Sequence, residues 1–252
     1  MALKDVIRMA RTAPATFTAE HFRCFYDHAD PLLRRLDRQA AKSRIPTVGP
    51  AMGKLLFVLA RAARARRVLE LGTSIGYSTI WLARSVAPSG GNVVSLEWDP
   101  KTAGEALRNM AEAGVSKYVK VETGDAKKWL EAHRRGPKFD LAFNDIDKEM
   151  YPPTRDPLVR LVRPGGRLVF DNTAFRSAGD FLKVSARHPD LETVHLHCFL
   201  PGHAPDLDAV TPCVKRGRAQ ASAGSLTQEQ PPPSKAPAPR IRRRDVLSIR
   251  RQ

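Results

Sequence analysis

The sequence predicts an α/β fold built on one doubly wound, seven-stranded sheet, mostly parallel with an antiparallel last strand. Three observations carry this reading. Short apolar runs alternate with amphipathic helical stretches over residues 45–216, the pattern of successive βαβ units. Arg67–Ala83 reads strand, tight turn, helix: Val68–Leu71 is apolar, Gly72 and Gly76 bracket small or hydroxylated residues, and Tyr77, Ile80, Trp81 and Leu82 recur at helical spacing. Two successive strands, Val68–Leu71 and Val93–Glu97, carry an acid at or near their carboxyl ends, Glu70 and Glu97.

Residues 1–44 read as a cationic helical cap. Thr18 is placed to cap a helix, and Phe22, Phe25, Tyr26, Leu32, Leu33 and Leu36 supply an apolar face for the sheet or for a second copy. Met1–Pro14 lacks the apolar block of a secretory signal. It is basic and mildly amphipathic, as organelle presequences are, although Asp5 and Glu20 count against that reading. Ile45–Pro50, with two prolines, breaks the chain before a helix over Ala51–Arg64.

The Gly72–Gly76 turn would let a ligand approach the backbone and would present free N–H groups at a helix N-terminus. Glu70 is expected to point an acid into the same crevice, which suits an amine or a sulfonium rather than a pyrophosphate. Glu97 follows Gly76 by 21 residues, the spacing at which doubly wound folds hydrogen-bond a ribose hydroxyl pair. Asp99 is the less favoured ribose partner: it precedes Pro100, and Asp-Pro reads as a turn into a helix over Lys101–Ala113, closed by Gly114. A third strand, Val119–Glu122, leads to Thr123-Gly124-Asp125-Ala126, where Asp125 can cap the helix Ala126–His133.

Phe139–Phe143 is the fourth strand and runs into Asn144-Asp145-Ile146-Asp147-Lys148. Arg163–Gly166 reads as a turn, and Arg167–Phe170 as a fifth strand ending in Asp171-Asn172. Asp145, Asp171 and Asn172 are oxygen donors at two strand ends, a set suited to a hard cation such as Mg²⁺, Mn²⁺ or Ca²⁺. Each alone would equally serve as a cap or turn residue. Thr193–Leu200 and Ala209–Val214 complete the sheet; His195 and His197 share one strand face, as a metal pair would, but read better as solvent-facing or satisfied by neighbours because the carboxylates already suit a metal.

Composition bounds the rest. With 252 residues and 42% hydrophobic content the chain suits one α/β domain plus appendages. Three cysteines without metal spacing point to a reducing compartment, hence the cytoplasm, and no apolar run reaches the length of a membrane span. Residues 217–252, with Pro231–Pro233 and the cluster Arg240–Arg244, are expected to be disordered. The net charge is +16, of which the tail contributes +6. A polyanion partner and an Arg-rich solvated surface explain that excess equally.

The segments Val68–Thr73 with Gly76-Tyr77-Ser78, Gly124-Asp125-Ala126, Phe143–Tyr151, Arg163–Gly166 and Asp171-Asn172 together resemble the divalent-cation-dependent O-methyltransferases of the class I S-adenosylmethionine-dependent superfamily, the group of catechol and caffeoyl-CoA O-methyltransferases. The resemblance covers residues 45–216 and implies a Rossmann-like methyltransferase domain. It implies that Glu70, Gly72, Thr73, Ser74, Gly76, Tyr77, Ser78 and Glu97 hold the cofactor, with Asp145 beside it. Thr47 and Val48 would lie over its methionine end, unless they form a plain turn. Gly124, Asp125 and Ala126 would border its adenine. It further implies that Lys148 is the base, that Asp145, Asp171 and Asn172 hold the metal, with Asp147 behind them, and that the chain forms a homodimer.

Several features depart from that group. Asn144 stands in place of an apolar residue and is expected to make the strand end wetter. Met150 stands where Asn is common, the segment after Asn172 is short, and Pro201–Asp208 is long. These put a familiar acceptor in doubt. The favoured acceptor is a catechol-like small molecule. A hydroxylated tRNA base of the 5-hydroxyuridine type is the alternative. A non-catalytic module binding RNA or a partner ranks last, because Asp145, Lys148, Asp171 and Asn172 are all present.

Overall fold

The structure is a computed structural model and describes residues 24–26, 30–43, 45–203, 205 and 207–217. The predicted helix beginning near Thr18 and the tail after Gly217 lie outside the described residues.

Five strands form the parallel part of the sheet: β1 (Arg67–Leu71), β2 (Asn92–Glu97), β3 (Val119–Thr123), β4 (Phe139–Asn144) and β5 (Val162–Phe170). Three more, β6 (Leu191–Thr193), β7 (Leu196–Phe199) and β8 (Leu207–Lys215), pair antiparallel through β8. The order is β3-β2-β1-β4-β5-β8-β6, with β7 also on β8. From β1 the chain moves outward to β2 and β3, then returns to pair β4 on the other side of β1. The switch point therefore lies between β1 and β4, where doubly wound folds open a crevice beyond the carboxyl ends.

Helices α1 (Pro31–Ser43), α2 (Gly49–Ala62), α3 (Tyr77–Val86), α4 (Pro100–Glu112), α5 (Ala126–Ala132), α6 (Tyr151–Leu161) and α7 (Gly179–Ser185) cover the two faces. Strand side chains alternate between them with period two. Val68, Leu141, Phe143 and Val169 join the core with Met52, Leu56 and Ile80, whereas Leu69, Leu71, Ala142 and Phe170 join that with Tyr151, Leu158 and Phe181. Leu32, Leu33 and Leu36 of α1 are buried in the first core, so this part of the N-terminal cap covers the sheet. The Asp99-Pro100 turn leads into α4 as its sequence predicts, and Asp99 also caps the helix, accepting from the Thr102 N–H at 2.9 Å.

Three elements differ from the sequence reading. The predicted sixth strand is two, and the break lies opposite Thr211-Pro212 of β8. Pro212 has no N–H to donate to a ladder, and His195 turns its ring to the Thr211 hydroxyl at 2.9 Å instead. The Arg163–Gly166 turn is an irregularity inside β5, where the β4 register jumps from Phe139↔Val162 to Leu141↔Arg167. Helix α6 escaped the pattern reading because Pro152, Pro153 and Pro157 interrupt its sequence. The first two sit in its first turn, where no intrahelical N–H is needed. Among the described residues no helix is long and apolar enough to cross a membrane.

Candidate active site

The carboxyl ends of β1, β2, β4 and β5 open into a crevice of about 1090 Å³. Its floor is the β1–α3 turn. Gly72 has φ +96°, and a Cβ there would lie 2.6 Å from the Asp145 carbonyl oxygen, so only glycine lets the tips of β1 and β4 meet. The Asp145 N–H donates to Leu71 at 2.9 Å and closes the same junction. Ser74, at φ +48°, turns its N–H onto Glu97 Oε2 at 2.8 Å. Trp98 and Asp99 donate their N–H groups to Glu97 Oε1 at 3.1 and 3.2 Å. Three backbone donors thus hold Glu97 at the crevice edge.

Most residues singled out from sequence line this space: Thr47, Val48, Gly72, Thr73, Ser74, Tyr77, Ser78, Glu97, Gly124, Asp125, Ala126, Asp145, Asp147, Lys148, Asp171 and Asn172. Asp125 also caps α5, accepting from the Lys128 N–H at 2.8 Å, so the cap and the crevice position coexist. Gly76 does not line the crevice. Its φ of +86° turns the chain into α3, and a Cβ would sit 3.1 Å from Met110 and crowd α4.

Glu70 departs from its expected place and is absent from the crevice lining. Strand alternation points it to the same face as Val68, under α3, where it is fully buried and accepts from Thr79 and Ser95 hydroxyls. Its other oxygen has no hydrogen-bond partner. Burial, opposed in part by the Ser95 and Thr79 hydroxyls, pushes its carboxyl up to about 7. A carboxyl raised on folding binds protons the unfolded chain has already released. Stability should therefore fall as pH rises from the ordinary carboxylate range through about 7. Glu70→Gln is expected to flatten that fall, gaining several degrees in Tm over wild type at pH 8 relative to pH 5. Parallel Tm–pH curves for the two proteins in thermal melts would contradict this.

At the β4–β5 end, Asn144 pairs with Phe170, which brings Asp145 and Asp171 side by side. The Tyr151 hydroxyl sits between two carbonyls, at 2.9 Å from Asn144 and 2.8 Å from Asp171. Asn144 is fully buried, so it does not open the strand end to water as expected from sequence. Lys148 Nζ lies 2.6 Å from Asp145 Oδ1 and 3.0 Å from the Ile146 carbonyl. It pairs inward, not with Asp147 or Glu149. Burial raises the Asp145 carboxyl, Lys148 offsets part of this, and Asp171 raises it further, to about 6.

Asp171 is fully buried, and Oδ1 has no hydrogen-bond partner. Its Oδ2 takes a 2.9 Å contact from His203 Nε2. Burial alone would lower the His203 imidazole, but the bond and charge of Asp171, with the Pro205 carbonyl and Asp208 behind, raise it to about 9. Asn172 has φ +48°, a conformation Asn tolerates, and its amide nitrogen donates to Asp208 at 2.6 Å. Among the described residues no group of three or more His, Cys, Asp or Glu is arranged to hold a metal ion. The donor set is instead two carboxylates and an amide, all oxygen. A buried carboxylate oxygen without a partner beside a second carboxylate fits a hard cation.

Sequence reading missed Trp98, His203 and Asp208. Trp98 follows Glu97, is 81% exposed, and lines the crevice. Its position after the strand-end acid was a readable signal. His203 comes from the β7–β8 loop and Asp208 from the start of β8, and neither carries a local signature.

Residues 25–194 match the O-methyltransferase family. The chain is 40% identical over 184 residues to a catechol O-methyltransferase of Mycobacterium tuberculosis, covering 71% of this chain and 80% of that one. Among solved structures it is similar to the O-methyltransferase TomG of Streptomyces achromogenes, involved in tomaymycin synthesis and solved with S-adenosylmethionine. That match has a TM-score of 0.71 and 29% identity over 79% of this chain and 96% of that one. An O-methyltransferase from Bacillus cereus, solved with S-adenosylhomocysteine, aligns with the same TM-score, identity and coverage. The matched span includes the β1–α3 turn, the Asp145–Lys148 tip and Asp171-Asn172, and the chain belongs to the O-methyltransferase family.

Proposed function

We propose that the chain methylates a hydroxyl of a small, catechol-like acceptor, taking the methyl group from S-adenosylmethionine beside a divalent cation such as Mg²⁺. The observation that carries this reading is the buried, unpartnered Asp171 Oδ1 next to Asp145 in the crevice that also carries Glu97. The catechol O-methyltransferase relative supports the acceptor class.

S-adenosylmethionine supplies an electrophilic methyl on a sulfonium, which leaves as a thioether when the acceptor oxygen takes the methyl. The cation, when bound, supplies charge that favours the ionised form of an acceptor hydroxyl. Asp145, Asp171 and Asn172 are the residues that would hold it. Glu97, fixed by three N–H donors, still has lone pairs for the ribose hydroxyls. Asp125 would accept from the exocyclic amine of adenine, and Trp98 would stack on the base. Thr47 and Val48 would cover the methionine end. Lys148, as the neutral amine, would take the acceptor proton on Nζ and become the ammonium, its tethers to Asp145 and Ile146 aiming it into the crevice.

Methyl transfer from labelled S-adenosylmethionine to catechol, assayed with Mg²⁺, with EDTA, and with Mg²⁺ restored, tests the reading. A rate indifferent to EDTA would remove the cation. Label appearing on tRNA but not on catechol would replace the acceptor. The cofactor arm has its own check. S-adenosylhomocysteine is expected to quench tryptophan fluorescence, and Trp98→Ala to lose the quench and bind about tenfold more weakly, as loss of one base–aromatic stack predicts.

A further inference from the structure

We infer that His203, on the loop between β7 and β8, and Asp208, at the start of β8, are positioning residues that aim the donor oxygens of Asp171 and Asn172 at a divalent cation. The inference rests on the cation reading above and extends it to residues outside the donor set.

A carboxylate can turn either oxygen toward a ligand, and an amide can present oxygen or nitrogen. Each choice needs a partner on the other side. His203 Nε2 occupies Asp171 Oδ2 at 2.9 Å, with the two side chains 1% and 0% exposed. That leaves Oδ1 as the oxygen without a partner. Asp208 Oδ2 accepts the Asn172 amide nitrogen at 2.6 Å, so the amide oxygen lies on the opposite side. Asp208 is itself held, since its Oδ1 accepts the Ala209 N–H at 2.6 Å and the Ala174 N–H at 3.3 Å. The His203 ring is held from behind by the Pro205 carbonyl, 2.8 Å from Nδ1.

The backbone is built to deliver both side chains, Asp208 through its pairing opposite Cys198 of β7 and His203 through the turn before it. Gly202 presses on the start of α2, where a Cβ on Gly49 would lie 2.3 Å from the Gly202 carbonyl carbon and 2.7 Å from the His203 nitrogen. A Cβ on Gly202 would lie 2.6 Å from Pro50. Both glycines have positive φ, +64° and +80°, so neither position accepts a side chain without strain. The long loop is thus seated against α2, and the seat sets where the imidazole meets Asp171.

Mn²⁺ binding, read from the electron paramagnetic resonance of the free ion, tests this without any turnover. His203→Met keeps the volume but not the donor, His203→Gln keeps a donor, and Asp208→Ala removes the acceptor. His203→Met and Asp208→Ala are expected to weaken Mn²⁺ by about 10- to 100-fold. His203→Gln is expected to recover most of the loss. S-adenosylhomocysteine binding by fluorescence should stay within a few-fold throughout. Equal Mn²⁺ affinity in wild type and all variants overturns the inference and leaves the cation reading standing. A His203→Gln as weak as His203→Met also overturns it, because packing and not the bond would then be at work. Parallel loss of S-adenosylhomocysteine binding marks a collapsed crevice and overturns it too. Wild-type protein that binds no Mn²⁺ removes the cation reading itself, and the inference with it.

Discussion

Lys148→Met is expected to lower kcat by about 10²–10⁴, the usual worth of a positioned base, while S-adenosylhomocysteine binding stays near the wild-type level. The side chain is 15% exposed and anchored at 2.6 Å to Asp145 and 3.0 Å to the Ile146 carbonyl, with the Tyr151 ring 5.4 Å from Nζ. Those anchors hold the nitrogen at the crevice, but they would also suit a plain counter-ion for Asp145. Lys148→Arg separates the roles. Arginine keeps the charge but does not release its proton in the working pH range. A base role predicts that Arg is nearly as inactive as Met, whereas a counter-ion role predicts rescue. Single-turnover methyl transfer at saturating S-adenosylmethionine measures the difference, and an arginine variant within tenfold of wild type would refute the base assignment.

The second large effect concerns the carboxylate pair. Asp145→Ala is expected to cost on the order of 10²–10³ in kcat/KM, corresponding to several kcal/mol of transition-state charge stabilisation. EDTA should impose a similar loss on wild type, reversed by Mg²⁺. EDTA should add little to the loss already present in Asp145→Ala, because residues and ion acting as one unit do not contribute additively. Losses that multiply would show that Asp145 acts apart from the cation. Thermal melts of the variant guard against a folding artefact. Removing the half-buried Asp145 carboxyl beside the buried Asp171 should leave Tm unchanged or raised, since burial and the charge of Asp171 raise that carboxyl against the opposing charge of Lys148.

Most of the architecture was legible because its signals are local. Apolar strands, a glycine turn and Asp-Pro before a helix are written within a few residues of where they act, and Gly72, Asp99 and Asp125 behave as those signals predict. The errors come from partners distant in sequence. The split of the sixth strand answers to Pro212 on β8, and α6 forms despite its prolines because Leu158 and Leu161 are buried in the core.

Glu70 separates the two kinds of knowledge most clearly. Its place near a strand end was readable, but which way it faced depended on the alternation along β1 and on α3 lying above it. The sequence by itself determined the fold class, the crevice at the switch point and the acids at the strand tips, because each follows from short-range periodicity and turn chemistry. Only the tertiary structure decided which oxygens of those acids remain available. The bond from His203 to Asp171 spans 32 residues and that from Asn172 to Asp208 spans 36, and contacts over such separations are set by tertiary packing: the seat of the Gly202–His203 turn on α2 for the first, the pairing of β8 with β7 for the second.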